Sequence, residues 1–201
     1  MVFAITVHEV AHGWVASKLG DQTARILGRL TLNPIKHIDP MGTILVPLLL
    51  KVFGGPIFGW AKPVPVDWRN LRRPKQDMAW VALAGPMANL LMVLIWALLL
   101  KLILVLNIAT SGPVRALLEM AKVGVQANAF LMILNLIPIP PLDGSRVLTA
   151  LLPPRLAYRY MQLERYGLII VLVLLASGLL VNILLPVFYG FMALISRLFG
   201  L

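Results

Sequence analysis

Two histidines and a glutamate stand within five residues near the start of the chain, in the run His8-Glu9-Val10-Ala11-His12. On a helix, residues four apart lie one turn apart on the same face, so His8 and His12 can offer two imidazole nitrogens to one metal ion. Glu9 falls beside that pair, where it can take a proton from water activated by the ion. Two histidines do not complete a catalytic zinc site, which takes three protein ligands and keeps one position for water. The third must be His, Asp or Glu, because the chain holds no cysteine, and its acidic residues number only eight.

The surroundings narrow the reading. Residues 1–19, MVFAITVHEVAHGWVASKL, are nearly all apolar apart from the motif until Ser17 and Lys18. The bland alternative, a surface helix carrying these residues by chance, would leave Glu9 in hydrocarbon without a partner, which is costly. The whole 201-residue chain is 60% hydrophobic and 13% charged, where a soluble domain carries about a quarter charged residues. It reads as an integral membrane protein, with residues 1–201 forming a single membrane-embedded domain and no room for a separate soluble module. The net charge of +10 fits Lys and Arg held at the cytoplasmic face. Nucleic acid is excluded as a partner, since no basic run is interleaved with aromatics; the partner surface is the lipid bilayer.

Elements that must position the motif follow along the chain. Residues 23–32 (TARILGRLTL) alternate like a strand, and residues 57–66 (IFGWAKPVPV) are extended by their prolines. Together they predict a short membrane-associated β hairpin, with residues 57–61 offering their backbone either to 23–32 or to a substrate strand. Residues 41–50 are apolar but too few to span, which predicts a re-entrant segment over 41–58. Residues 78–106, 122–137 and 166–185 are long enough to cross the bilayer, and Pro186 separates the last from a further apolar stretch ending near Arg197. The fold expected is therefore an all-α polytopic helix bundle with a β hairpin and a re-entrant segment, a catalytic core over about 1–150 and C-terminal helices over about 166–200. If 41–58 dips in and returns, loops 18–40, 59–77 and 144–166 share one side with four, five and four Lys or Arg, against Arg115 alone in 107–116. That bias places the site toward the cytoplasmic side of a multi-pass protein of the cell membrane.

Asp143 is the strongest candidate for the third ligand. It is the only acidic residue between Lys122 and Arg159, and it follows Pro138, Pro140 and Pro141, which forbid continuous helix. Broken backbone at membrane depth is tolerated where it lines protein or a wet cavity. Spacing alone leaves two roles open, a helix-capping aspartate or a metal ligand.

HEVAH together with NLIPIPPLDG (residues 135–144) resembles the site-2 protease family of intramembrane zinc metalloproteases, whose signatures are H-E-x-x-H and N-x-x-P-x-P-x-L-D-G. Asn135, Pro138, Pro140, Leu142, Asp143 and Gly144 fill the second without a mismatch. AGPMAN (84–89), NPIKHIDPMG (33–42) and GWAKPVPV (59–66) are similar to its compact prokaryotic branch without a PDZ domain, so the likeness covers most of residues 1–150. The resemblance implies one zinc ion bound by His8, His12 and Asp143, with Glu9 as the base. It implies that Asn89 and Asn135 line the site and hold the substrate backbone or the oxyanion; their alternative role is hydrogen bonding between helices. His37 stands either as an extra or regulatory ligand or as a turn cap. The implied activity is hydrolysis of peptide bonds within or near transmembrane segments, as in regulated intramembrane proteolysis, on transmembrane protein substrates that include membrane-anchored regulators such as an anti-sigma factor. The rival class is a metal transporter or a non-catalytic zinc protein, which needs ligands but no Glu9. Seven residues before His8 make about 10 Å of helix, short of a bilayer crossing, so the native chain is expected to start upstream or to have been trimmed.

Overall fold

The protein is described from a computed structural model, in which residues 1–52, 59, 61–107 and 112–201 are described. Helix α1 (Val2–Lys18) carries the HEVAH motif and ends where Gly20 takes φ 121°, a backbone that a side chain would strain. A single turn, α2 (Thr23–Ile26), follows. After a 3₁₀ turn at Pro34–His37, a π-helical stretch Pro40–Leu45 runs into α3 (Val46–Val52). Long helix α4 (Pro74–Val105) then packs against α1 and α5 (Gly112–Asn135). Short helices α6 (Asp143–Leu151) and α7 (Pro154–Met161) lead to α8 (Gly167–Ala176) and α9 (Leu179–Phe199).

Helix α4 starts on chemistry written into its sequence. Pro74 occupies the first turn, where its missing N–H has no intrahelical partner to lose. Asp77 reaches back to accept from the Arg73 N–H at 2.8 Å, closing the turn as a capping carboxylate does. The buried seam of α4, α5 and α9 is built from Val93, Ala97, Val125, Ala129 and Ile195. Ala97 and Ala129 let the backbones approach closely there, and close packing rather than a hydrophobic drive holds helices together in lipid.

Helices α4, α5 and α9 are long and apolar enough to cross a membrane. The first two correspond to the spans expected at 78–106 and 122–137. The third corrects the sequence reading: 166–185 is not one span, because the chain breaks at Gly178, with φ 73°, between α8 and α9. Pro186, expected to separate two apolar stretches, lies inside α9. Its missing N–H costs one intrahelical bond, which a membrane helix tolerates.

The expected β hairpin is also overturned. Among the described residues no strand forms, and Thr23–Ile26 is helical. Local bonds explain this. Asp21 accepts from the Thr23 backbone N–H at 3.0 Å and from the Thr23 hydroxyl, which starts a helical turn and overrides the apolar alternation of 23–32. Gly28, with φ 63°, then turns the chain. The facing segment 61–67 is neither helix nor strand, and it has few donors to share. Pro63 and Pro65 have none, the Lys62 N–H goes to the His37 carbonyl at 2.9 Å, and those of Val64 and Asp67 go to the Glu9 and Asp21 carboxylates. Residues 57, 58 and 60 of the predicted extended segment, and 53–58 of the predicted re-entrant one, lie outside the described residues. The described limb, Pro40–Leu45 with α3, amounts to about 20 Å of helix, too short to span.

Candidate metal centre

Three ligand atoms meet where α1, α4 and α6 come together. His8 Nε2 and His12 Nε2 lie 3.0 Å apart, and the Asp143 carboxylate oxygen Oδ2 lies 3.1 Å from the first and 3.3 Å from the second. Among the described residues this is the group whose ligand atoms could hold a metal ion. The HEVAH spacing supplies the first two from one face of α1. Asp143 arrives as the first residue of α6, with its Oδ2 turned to the two imidazoles. Gly144 lets α6 start this close to the end of α5, because a Cβ on it would overlap the Leu136 carbonyl.

Hydrogen bonding decides what these nitrogens carry. The Val81 carbonyl, 2.7 Å from His12 Nδ1, can only accept, so Nδ1 holds the proton and a neutral His12 presents a lone pair at Nε2. Behind His8 runs a longer chain of the same logic. The Gly124 carbonyl accepts from Asn128 Nδ2 at 2.8 Å, which turns Asn128 Oδ1 toward Asn89. Asn89 donates to it from Nδ2 at 2.9 Å and turns its own Oδ1 to His8 Nδ1, 2.5 Å away. His8 is thereby also protonated at Nδ1, with its Nε2 lone pair facing inward. Two lone pairs and a carboxylate pressed together repel one another unless a cation lies among them. Asp143 Oδ2 is correspondingly buried with no hydrogen-bond partner. The donor set fits zinc: two imidazoles whose far nitrogens are held by acceptors, and one carboxylate.

Gly85 makes the geometry possible. A Cβ there would overlap His12 Nε2 and stand 2.5 Å from His8 Cε1, so the AGPMAN turn is small because the imidazole pair lies against it. Pro86, one residue on, has no N–H to give the Ala82 carbonyl, which loosens α4 at the turn whose Val81 carbonyl His12 reaches.

Glu9 is half-buried and its Oε2 accepts from the Val64 N–H at 2.7 Å. With His8 it borders two cavities. One, of about 300 Å³, is bounded by His12, Asp143, Trp68 and Arg146; the other, of about 390 Å³, by Ile5, Leu131, Leu134 and Leu168. His8 and Glu9 thus sit between a polar chamber and an apolar one. At the polar rim Arg146 stacks on Trp68, 4.7 Å from the ring centre, and pairs with Glu164 at 3.2 Å.

The remaining predicted residues divide. Asn135 borders both cavities, one N–H donating to the Leu131 carbonyl at 3.0 Å and the other free to turn inward. Asn89 is fully buried behind His8 with both polar ends engaged. His37 is not brought into the ligand group: it is buried, and its Nε2 donates to the Thr31 carbonyl at 2.9 Å. Sequence reasoning missed Asn128, Gly85, Val64 and Arg146. Asn128, an amide inside an apolar span, was a signal that could have been read.

Three helices, α1, α4 and α6, thus meet around a His-His-Asp cluster with an adjoining glutamate, the residue types of a metallopeptidase centre. Comparison with known proteins agrees. The sequence model of peptidase family M50 matches residues 1–181. YwhC of Bacillus subtilis, a candidate zinc metalloprotease, is 39% identical over 201 residues, all of this chain and 89% of its own length. Rip2 of Mycolicibacterium smegmatis, also a candidate zinc metalloprotease, is 33% identical over 180 residues, covering 88% of this chain and 64% of its own length. No solved structure matches. The chain belongs to peptidase family M50, the site-2 protease family, and is a zinc metalloprotease of the membrane.

Proposed function

We propose that His8, His12 and Asp143 hold the zinc of this protease, that Glu9 is its proton-transfer group, and that the site is reached from the cytoplasmic side. When bound, zinc supplies Lewis acidity toward the scissile carbonyl and toward a water molecule. Glu9 takes the proton from the attacking water and passes it to the leaving amine. Asn135 has one N–H to offer the substrate backbone, while Asn89 acts from behind by fixing the His8 tautomer. Water enters through the polar chamber beside Trp68 and Arg146, and the unwound substrate segment lies along the apolar one. The observation that carries this reading is the convergence of two inward lone pairs and a carboxylate beside Glu9.

The whole of residues 1–201 forms one membrane-embedded unit in this reading, and its substrates are transmembrane proteins, membrane-anchored regulators such as an anti-sigma factor among them. Chelation of the purified protein in lipid vesicles should abolish cleavage of a model transmembrane substrate, and added zinc should restore it. Cleavage that persists in metal-free protein would remove the reading. In cells, membrane peptides that accumulate with Glu9→Gln identify the substrates.

A further inference from the structure

The geometry points to segment 61–67 as the device that aims Glu9, with Arg29 as the positioning residue that sets it. The inference rests on the reading of Glu9 as the proton-transfer group. A carboxylate at the end of a two-carbon side chain has several rotamers, and proton transfer needs one of them. Here the choice is made by a single backbone donor, the Val64 N–H, 2.7 Å from Glu9 Oε2. That bond engages Oε2 and leaves Oε1 available for proton transfer.

Everything around Val64 fixes where its N–H points. Its side chain is buried against α1 beside Gly13, the residue after His12; a Cβ on Gly13 would stand 2.7 Å from Val64 Cγ1 and 2.6 Å from Leu30 Cδ2. The glycine thus lets the segment lie on the helix that carries Glu9. Pro63 and Pro65 restrict the backbone on both sides. Downstream, Asp21 takes the Asp67 N–H at 2.8 Å. Upstream, the His37 carbonyl takes the Lys62 N–H at 2.9 Å, and Arg29 Nη2 donates to the Lys62 and Pro63 carbonyls at 3.0 and 3.3 Å. The Pro63 carbonyl belongs to the same peptide unit as the Val64 N–H. A guanidinium on that oxygen orients the very plane whose other end meets Glu9. Arg29 also polarises the peptide, which strengthens its N–H as a donor to a carboxylate. A merely structural clamp would act on stability alone; this one acts on the step in which Glu9 moves a proton.

The test replaces the Val64 amide by an ester, using the α-hydroxy analogue of valine, which keeps the side chain and removes the N–H. Measured on the full chain in lipid vesicles with bound zinc, kcat should fall about tenfold or more, the range expected for a hydrogen bond to a charged acceptor, with KM and zinc content unchanged. Arg29→Gln should lower kcat in the same direction, Arg29→Lys should restore part of it, and Arg29→Gln should add little in the ester background. An ester protein with unaltered kcat, or one that loses its zinc, overturns the proposal, as does Arg29→Gln acting through KM alone. Glu9→Gln is run beside them. If it still cleaves, the reading of Glu9 fails; if it is inactive while the ester is not impaired, the aiming proposal fails by itself.

Discussion

His8 Nδ1 and Asn89 Oδ1 lie 2.5 Å apart, and the direction of that bond is set two residues away, at the Gly124 carbonyl. Because Gly124 can only accept from Asn128, the two amides are locked head to tail and His8 keeps its proton on the nitrogen facing away from Asp143. Removing the acceptor frees the ring to turn or change tautomer. Asn89→Ala should weaken zinc affinity about 10- to 100-fold, as loss of a histidine's outer partner does elsewhere. Asn128→Ala should act in the same direction but less, since Asn89 itself remains. Competition with a zinc chelator of known affinity measures both.

Gly85→Ala separates fold from site. Within a helix alanine is favoured over glycine by about 1 kcal/mol, so propensity alone predicts a small gain. The added methyl, however, would overlap His12 Nε2, and overpacking typically costs about 1–3 kcal/mol. The steric cost is expected to fall on the imidazole pair. The variant should fold with a Tm near that of the parent in metal-free form, yet lose zinc and cleavage. Retained zinc with normal turnover would show that the ring pair can shift to make room.

Asp143→Ala and His37→Ala form a contrasting pair. The first removes one of three ligand groups, and two histidines make a poor site, so zinc and activity should fall together. His37 holds a loop through the Thr31 carbonyl and the Lys62 N–H, and only the first of these uses its side chain. His37→Ala should therefore keep zinc and lose stability. Metal analysis after purification distinguishes the two.

How much of this could be read from the sequence depends on how local the signal was. The HEVAH pair was legible because four-residue spacing on a helix is fixed by geometry, whereas the place of Asp143 after three prolines left capping and ligation open, and only the resemblance of NLIPIPPLDG chose between them. The strand expected over 23–32 failed where Asp21 made stronger local bonds than an apolar alternation can outweigh. The break at Gly178 was hidden inside an unbroken apolar run, since only backbone conformation reveals it. The tautomer relay through Asn89 and Asn128 joins residues 39 apart, and no spacing rule connects them. Val64 was hidden for a different reason: its contribution is an N–H, which every residue but proline has.

Asp21 anchors segment 61–67 from outside the spanning helices, and its titration should show in stability. Burial raises its pKa, but hydrogen bonds from the Thr23 hydroxyl, Asn70 and the Thr23 and Asp67 amides outweigh this and hold the carboxyl below its ordinary value of 3.8. A lowered folded-state pKa contributes stability that is present above the ordinary value and lost as pH falls through the folded one. Tm should thus drop below about pH 4, and Asp21→Asn should flatten that limb. Asp21→Ala, which leaves the Asp67 N–H without its partner, should cost about 3 kcal/mol at neutral pH.

The central claim is that Glu9 moves the proton while His8, His12 and Asp143 hold the metal, and Glu9→Gln tests it most directly. The substitution keeps the shape of the side chain and an oxygen for the Val64 N–H but removes the basic carboxylate. Zinc content and cleavage of a transmembrane substrate are measured on one preparation in lipid vesicles. The account predicts one zinc per chain, as in the parent, and cleavage reduced by at least about a thousandfold. Cleavage at the parental rate with zinc in place would contradict it.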